Sequence, residues 1–367
     1  MDNTIVCNTV PIYSEAPVSL EILKDNISQV IDSISEDPMI KKYLIVDKKD
    51  KKTIDLLKEQ IKTLPDSNIE ILETEVINNF VYGNLTAIES LIKGEKPIPY
   101  GINKKLPIYS VEELLGSKNK AVFINGNIKN KGLFSFNKNV KPRDILNQCR
   151  SDNKFKGMYF GYPMGTLISD EQLDDEIELT TDYIFIFDES HCILDRLVDI
   201  SKRYLSESCG RCVFGHEGTT QIYMILSDIA NKRGKAEDIE QLLDLCNQMR
   251  NQSLCDIGIA AGNTVITAIN NFKEEILGHI IKKDCKAAVC SKFITYHILD
   301  DKCNGCNECQ NICEEEAILG KKRYIHIIDQ DECIQCGSCI SVCGEEAIIK
   351  AGRIKPKTLK KPIPCKN

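Results

Sequence analysis

Eighteen of the 367 residues are cysteine, and sixteen of these follow residue 190, with only Cys7 and Cys149 before it. Cys303, Cys306, Cys309 and Cys313 have the spacing C-x2-C-x2-C-x3-C, and Cys333, Cys336, Cys339 and Cys343 repeat it thirty positions later. In such a run three thiolates wrap a loop around one cubane iron–sulfur cluster, and the fourth leaves on a short helix to reach the other cluster. The spacing therefore predicts two [4Fe–4S] clusters, one on Cys303, Cys306, Cys309 and Cys343, the other on Cys333, Cys336, Cys339 and Cys313. The usual proline after the fourth cysteine is replaced by Glu314 and Gly344, neither of which removes a ligand. Zinc is the plainer reading of any single CxxC pair, but two full repeats of this length argue against it.

The rest of the composition fits that chemistry. Met1–Val10 has neither a basic start nor an apolar core, so no secretory signal is read and a cytoplasmic location is expected. A reducing compartment makes eighteen cysteines a poor disulfide framework and a good metal-binding one. No apolar run is long enough to span a bilayer. The net charge of −7 argues against nucleic acid as a main partner and suits docking on basic protein surfaces.

Several elements must position these residues. Helical spacing over Leu20–Ile34 and Ile54–Ile61, with strand-like runs at Tyr43–Val46 and Ile69–Leu72, predicts a small α/β layer over 1–105. Lys96-Pro-Ile-Pro99 breaks it. Over 106–190, runs at Ala121–Ile124, Leu133–Phe136, Met158–Phe160 and Tyr183–Phe187 around a helix at Asp144–Cys149 predict a β-grasp-like domain. Four helical stretches, Leu194–Tyr204, Glu217–Ile229, Ala236–Met249 and Asn263–Ile280, predict a helical bundle over 191–281. A connector at 282–298, the ferredoxin-like module at 299–352 and a tail at 353–367 complete a multidomain α/β plus α chain.

Five segments carry a resemblance to a known family. Glu207-Ser-Cys209-Gly-Arg-Cys212-Val-Phe-Gly-His216-Glu-Gly218, followed by Ser253-Leu-Cys255, resembles the E-S-C-G-x-C-x-P-C-R-E-G and S/T-L-C segments of the flavoprotein subunit of respiratory complex I and its counterpart, the beta subunit of electron-bifurcating hydrogenases. Ala121–Leu133 resembles the opening of that family's β-grasp (SLBB-like) domain, and Phe187-Asp-Glu-Ser-His-Cys192 its D-E-x-x-C lead into the bundle. Val81–Gly94 resembles its Y-x-C-G-E-E-T-A-L helix. The resemblance implies a third [4Fe–4S] cluster on Cys209, Cys212 and Cys255. The family's remaining cysteine is Gly215 here, which leaves three readings: His216 as fourth ligand, an outside or solvent ligand, or a degenerate site whose cysteines persist as small buried residues. Hydrogenase-type relatives also carry an H-x5-C-x4-C connector, matched by His279, Cys285 and Cys290, which implies a zinc site. Cys365 and Cys246 are the candidates for its fourth ligand, with free thiols on a linker as the alternative. Cys7, Cys149 and Cys192 read as plain thiols.

One family feature is missing. Flavin mononucleotide and nicotinamide are bound there by a glycine-rich loop, whereas this sequence contains no G-x-G, and the paired glutamates of the Y-x-C-G-E-E helix are Asn84 and Leu85. Without glycines the backbone cannot approach a phosphate closely at a helix start. No FMN or NAD is therefore expected, and 1–105 reads as a degenerate remnant of the flavin domain. The spacing of Gly157, Gly161 and Gly165 is that of turns, and Asp188 beside Glu189 reads as a solvated pair. The expected role is a non-catalytic iron–sulfur electron-transfer subunit of a multisubunit, bifurcating-type oxidoreductase. Its partners would be a flavoprotein, a hydrogenase-like or dehydrogenase subunit, or ferredoxin. The rivals are a shortened NADH-linked flavin enzyme with an unrecognised FMN site, and a scaffold whose clusters are structural.

Overall fold

The computed structural model describes residues 4–35, 37, 39–64, 67–102, 106–150 and 154–365. The chain is a mixed α/β structure of two compact units. One comprises residues 1–189, 199–224 and 239–271, the other 190–198, 225–238 and 272–367.

In the first unit, four parallel strands lie in the order Ile69–Thr74, Lys41–Asp47, Thr4–Asn8, Ile108–Tyr109. The run Tyr43–Val46 is buried throughout, as a strand inside a parallel sheet must be. Helices Val18–Asp25, Ile27–Ser35 and Lys51–Lys62 supply Leu23, Val30, Ile31, Ile34, Ile54 and Leu57 to its core. The single helix expected over 20–34 is two, because the Asn26 amide turns back to donate to the Ile22 carbonyl at 2.8 Å.

A second, five-stranded sheet runs Gly132–Asn137, Asn119–Gly126, Tyr183–Asp188, Phe155–Phe160, Thr166–Ile168. Asn119–Gly126 and Tyr183–Asp188 pair in parallel, and every other pairing is antiparallel. Helix Pro142–Cys149 packs Ile145 and Cys149 against Val122, Ile124, Phe160 and Ile184. Four long helices follow, Ile193–Glu207, Val213–Ala230, Asp238–Gln252 and Asp256–Leu277, the last kinked at Phe272. Before the kink that helix is tied to the sheet: the Asn263 amide reaches the Met164 carbonyl at 2.9 Å, and the Asn271 amide the Leu167 carbonyl at 2.8 Å. Among the described residues, no helix is long and apolar enough to cross a membrane.

The second unit carries two short helices, Glu308–Asn311 and Ser338–Ser341, and three small antiparallel pairs. Thr295–Ile298 pairs with Ile348–Ala351, Ile318–Leu319 with Ile327–Ile328, and Tyr324–Ile325 with Ile363–Pro364. Each cysteine run brackets one of the short helices, with two cysteines before it, one on it and one after it.

Two glycines of the mixed sheet separate backbone strain from steric fit. Gly126 has φ 137° and a Cβ there would lie 2.2 Å from the Ile186 carbonyl oxygen, while Gly132 has φ 124° and nothing within 4 Å. Gly132→Ala should cost only strain, about 1–3 kcal/mol. Gly126→Ala should cost more, because Ile186 cannot retreat without breaking the pairing with Asn119–Gly126. Thermal unfolding followed by circular dichroism compares them; equal midpoints would contradict this account of the strand pair.

Candidate metal centres

The two cysteine runs of the second unit form two separate cradles. One is lined by Cys303, Cys306, Cys309 and Cys343, with Ile298, Asn307 and His326. The other is lined by Cys333, Cys336, Cys339 and Cys313, with Tyr296, Ile312 and Ile328. Each thus gathers three cysteines of one run and the last of the other, the grouping that the spacing predicts. The short helices explain the exchange: each carries its third cysteine, and its run's fourth lies just past its end, close to the other loop. Burial, then the neighbouring Cys303 and Cys306, pushes the Cys309 thiol up to about 12. Burial, then Cys333 and Cys336, pushes Cys339 up to about 11. Four thiols so placed ionise together only around a strongly cationic core. The cradles therefore fit a metal cluster.

A third cysteine group lies in the first unit at the starts of two helices. Cys212 immediately precedes helix Val213–Ala230, and Cys255 immediately precedes helix Asp256–Leu277. The Gly215 amide lies 3.3 Å from Cys212 Sγ, so the helix N-terminus faces the sulfur. Cys209 follows the end of helix Ile193–Glu207, and that end is fixed by Glu207, whose carboxylate accepts the Phe80 amide at 3.1 Å, and by Ser206, whose carbonyl accepts the Asn78 side chain at 2.7 Å. Burial and the nearby Cys209 and Cys212 push Cys255 up to about 11. His216 is exposed, with Nδ1 3.4 Å from Ser208 Oγ.

The third centre needs a correction to the sequence reading. His279, Cys285 and Cys290 do come together, but their fourth companion is Cys192, which reads in sequence as a plain thiol; neither Cys365 nor Cys246 belongs to the group. The four ligating atoms lie within 4.8 Å of one another and all four residues are buried. Cys192 Sγ stands 3.3 Å from His279 Nε2 and 3.5 Å from Cys290 Sγ, and Cys290 Sγ stands 3.6 Å from His279 Nε2. Bonds of about 2.0–2.3 Å in a tetrahedron give edges of roughly 3.3–3.8 Å, so these separations suit a closed Cys3His site. His279 Nδ1 is engaged by the Glu275 carbonyl at 2.9 Å, which leaves Nε2 to face the thiols. The Glu275 carboxylate accepts the Ile193 amide at 2.9 Å and so holds the start of the Cys192 helix beside the His279 turn. Hydrogen bonds with Cys192 and Cys290 lower the Cys285 pKa, while those with Cys192 and Cys285 raise Cys290. Burial opposes the charged imidazole, yet bonding to Cys192 and Cys285 holds His279 up at about 10. The residues compete for one charge, which a bound cation would settle. Cys192 lies 87 residues before His279, and the D-E-x-x-C segment is the one signal in the sequence that points to it.

Known proteins carry similar regions. Residues 195–279 match the NADH-ubiquinone oxidoreductase-F iron–sulfur binding region, and residues 326–349 match a 4Fe-4S binding domain. The NADP-reducing hydrogenase subunit HndC of Solidesulfovibrio fructosivorans is 30% identical over 229 residues, covering 57% of this chain and 46% of that protein. An NADH-quinone oxidoreductase subunit of Mycobacterium tuberculosis (strain ATCC 25618 / H37Rv) is 27% identical over 175 residues, 44% of this chain and 39% of that protein. The chain spans less than half the length of these relatives. A crystal structure of an NAD+-reducing [NiFe]-hydrogenase in the H2-reduced state shares the fold, with a TM-score of 0.66 at 18% identity over 76% of this chain and 56% of that one. The resemblance carried by the residues therefore stands: over part of its length this chain is related to these NADH-quinone oxidoreductase and hydrogenase subunits, and it carries iron–sulfur binding regions.

The remaining thiols divide by environment. Burial pushes Cys7 and Cys246 up to about 12 and Cys149 up to about 11. At about pH 8 their thiolate fraction is negligible. Iodoacetamide should therefore spare Cys7, Cys149 and Cys246 in the folded protein while labelling the half-exposed Cys365. Mass spectrometry of the labelled chain checks this, and labelling of Cys7 as fast as Cys365 would contradict it.

Proposed function

We propose that this chain is an iron–sulfur electron-transfer subunit of an oxidoreductase complex of the hydrogenase or NADH-quinone oxidoreductase type. The observation that carries the reading is the pair of cradles, each closed by a cysteine from the other's run. In the proposed assignment one [4Fe–4S] cluster sits on Cys303, Cys306, Cys309 and Cys343, and the second on Cys333, Cys336, Cys339 and Cys313. Each supplies a one-electron carrier when bound. This chain's part is to hold the clusters side by side, to exclude water with Ile298, Tyr296, Ile318 and Ile348, and to leave the edges at Cys306 and Cys336 exposed to a partner.

A third [4Fe–4S] cluster is assigned to Cys209, Cys212 and Cys255 at the two helix starts, which supports reading 191–281 as a cluster-bearing bundle. Zinc is assigned to Cys192, His279, Cys285 and Cys290 as a structural ion, because buried thiol and imidazole in a closed tetrahedral set leave no open position for catalysis. The mixed sheet of 106–190 is read as the β-grasp (SLBB-like) domain and 1–105 as a remnant of the flavin domain.

The chain is read as having no flavin or nicotinamide site of its own. Asn84, at the place of a family glutamate, is buried and fully employed: its side chain caps helix Leu85–Ile92 through the Thr86 amide at 3.0 Å and also reaches Asp256 at 3.3 Å. Two-electron hydride chemistry then belongs to a partner chain, since cofactors carry that step. A flavoprotein, hydrogenase-like or dehydrogenase subunit, with ferredoxin as a further exchange partner, fits this role. Because the relatives include an NADP-reducing hydrogenase subunit, a hydrogenase-type complex is the favoured setting, with electron bifurcation as one form it could take.

Elemental analysis of the anaerobically purified chain tests the assignment. About twelve iron, matching sulfide and about one zinc are expected. Cys192→Ser should lower zinc and leave iron unchanged. About eight iron would remove the third cluster from the reading, and flavin absorbance surviving cluster removal would replace the flavin-free reading with that of a shortened flavoenzyme.

A further inference from the structure

The first turn of helix Val213–Ala230 presents Gly215 where a fourth thiolate would have to stand. Gly215 is buried, and a Cβ built on it would lie 2.7 Å from Cys212 Sγ, so its open face looks at the cysteine group. Opposite is the first turn of helix Asp256–Leu277: a Cβ on Gly258 would lie 3.2 Å from Gly215 Cα and 2.2 Å from Ser253 Oγ. Ser253 is buried, and its hydroxyl has no hydrogen-bond partner. A buried hydroxyl left unpaired costs about 1–3 kcal/mol and marks a place where a polar ligand is missing. His216 cannot share this face. One position on from Gly215 along the helix, it is exposed and turned to Ser208. The place therefore has three thiols, a fourth corner closed by two glycines, and one unpaired hydroxyl beside it.

We propose that the protein ligates only three irons of the bundle cluster, through Cys209, Cys212 and Cys255, and that the iron facing Gly215 is exchangeable, open to a small exogenous donor such as a low-molecular-weight thiolate that hydrogen-bonds Ser253 Oγ. This rests on the third-cluster reading above. With glycine at both positions neither offers a side-chain donor at the corner, so a fourth donor there has to come from outside the chain. One-electron oxidation should expose the difference. A [4Fe–4S]2+ core gives one electron to ferricyanide, releases one Fe2+ and leaves a [3Fe–4S]+ core on the three cysteinates, with ferricyanide reduced to ferrocyanide. Electrons and charge balance, and no protein bond is broken.

The test treats the anaerobic full chain with ferricyanide and follows iron release and the EPR signal of the three-iron core. Wild type should release about one iron per chain and show one such spin per chain, both reversed by Fe2+ and reductant. Gly215→Cys should hold the same iron beforehand and lose the signal, since the new thiolate supplies the fourth ligand once the Cys212 side chain has adjusted. Gly215→Ala, which adds bulk without a ligand, should keep the signal. In unmutated protein, ethanethiol should shift the EPR spectrum of the reduced bundle cluster. A signal persisting undiminished in Gly215→Cys belongs to the paired clusters and overturns the inference, as does a wild-type chain with about twelve iron, no signal and no response to thiol. Loss of about four iron in His216→Ala would make that imidazole the fourth ligand and likewise overturn it. About eight iron, unchanged in Cys255→Ala, would instead remove the third-cluster reading itself.

Discussion

Thiols gathered in a folded chain cannot all ionise unless a cation stands among them, and the second unit is organised around that constraint. Its core contains Ile294, Tyr296, Ile298, Ile318 and Ile348, but Cys309 and Cys339 belong to the same core, with Cys303, Cys313, Cys333 and Cys343 packed against it. The strands there are only two to four residues long. Apolar burial on that scale is small for a domain, so the proposed metals would add to its folding stability. The Cys192–His279–Cys285–Cys290 group obeys the same rule, joining the start of one helix, the π-type turn after another and the connector that follows.

The first unit is held differently, by extended apolar packing. The parallel strand Lys41–Asp47 and the mixed sheet around Val122 and Ile184 bury large side chains with no cysteine chemistry. What this frame does for the third cysteine group is positional. Glu207 and Asn78 pin the end of one helix, Asn263 and Asn271 pin another, and the amide of Gly215 meets Cys212 at the start of a third. Cys212 and Cys255 thus each stand immediately before a helix start.

Much of this was legible in the sequence, for physical reasons that differ from case to case. The ferredoxin-type cradles read directly because their ligands are local: three cysteines within seven residues, with the exchange of the fourth following from a one-turn helix. Buried runs such as Tyr43–Val46 and Tyr183–Phe187 also read directly, being apolar on both faces. Local pattern failed where a side chain or a distant segment decided the outcome. Asn26 split one periodic stretch into two helices, and Thr4–Asn8, a short run with polar ends, joined the sheet through pairing with Lys41–Asp47. Helix Asp256–Leu277 begins well before its apolar periodicity because small residues, Gly258, Ala260, Ala261 and Gly262, let it pack closely. Cys192 was missed because its partners are far along the chain, although the D-E-x-x-C segment already contained it.

Potentiometric titration of the anaerobic full chain, followed by EPR, tests the proposed electron-transfer role most directly. The proposal predicts that the two clusters of the paired cradles reduce reversibly at low potential. Their spectra should show mutual magnetic coupling, because each is closed by a cysteine from the other's run. Clusters that stay oxidised under dithionite, or that reduce without exchanging electrons with any soluble mediator, would contradict the proposal and leave the protein as a scaffold whose metals are structural.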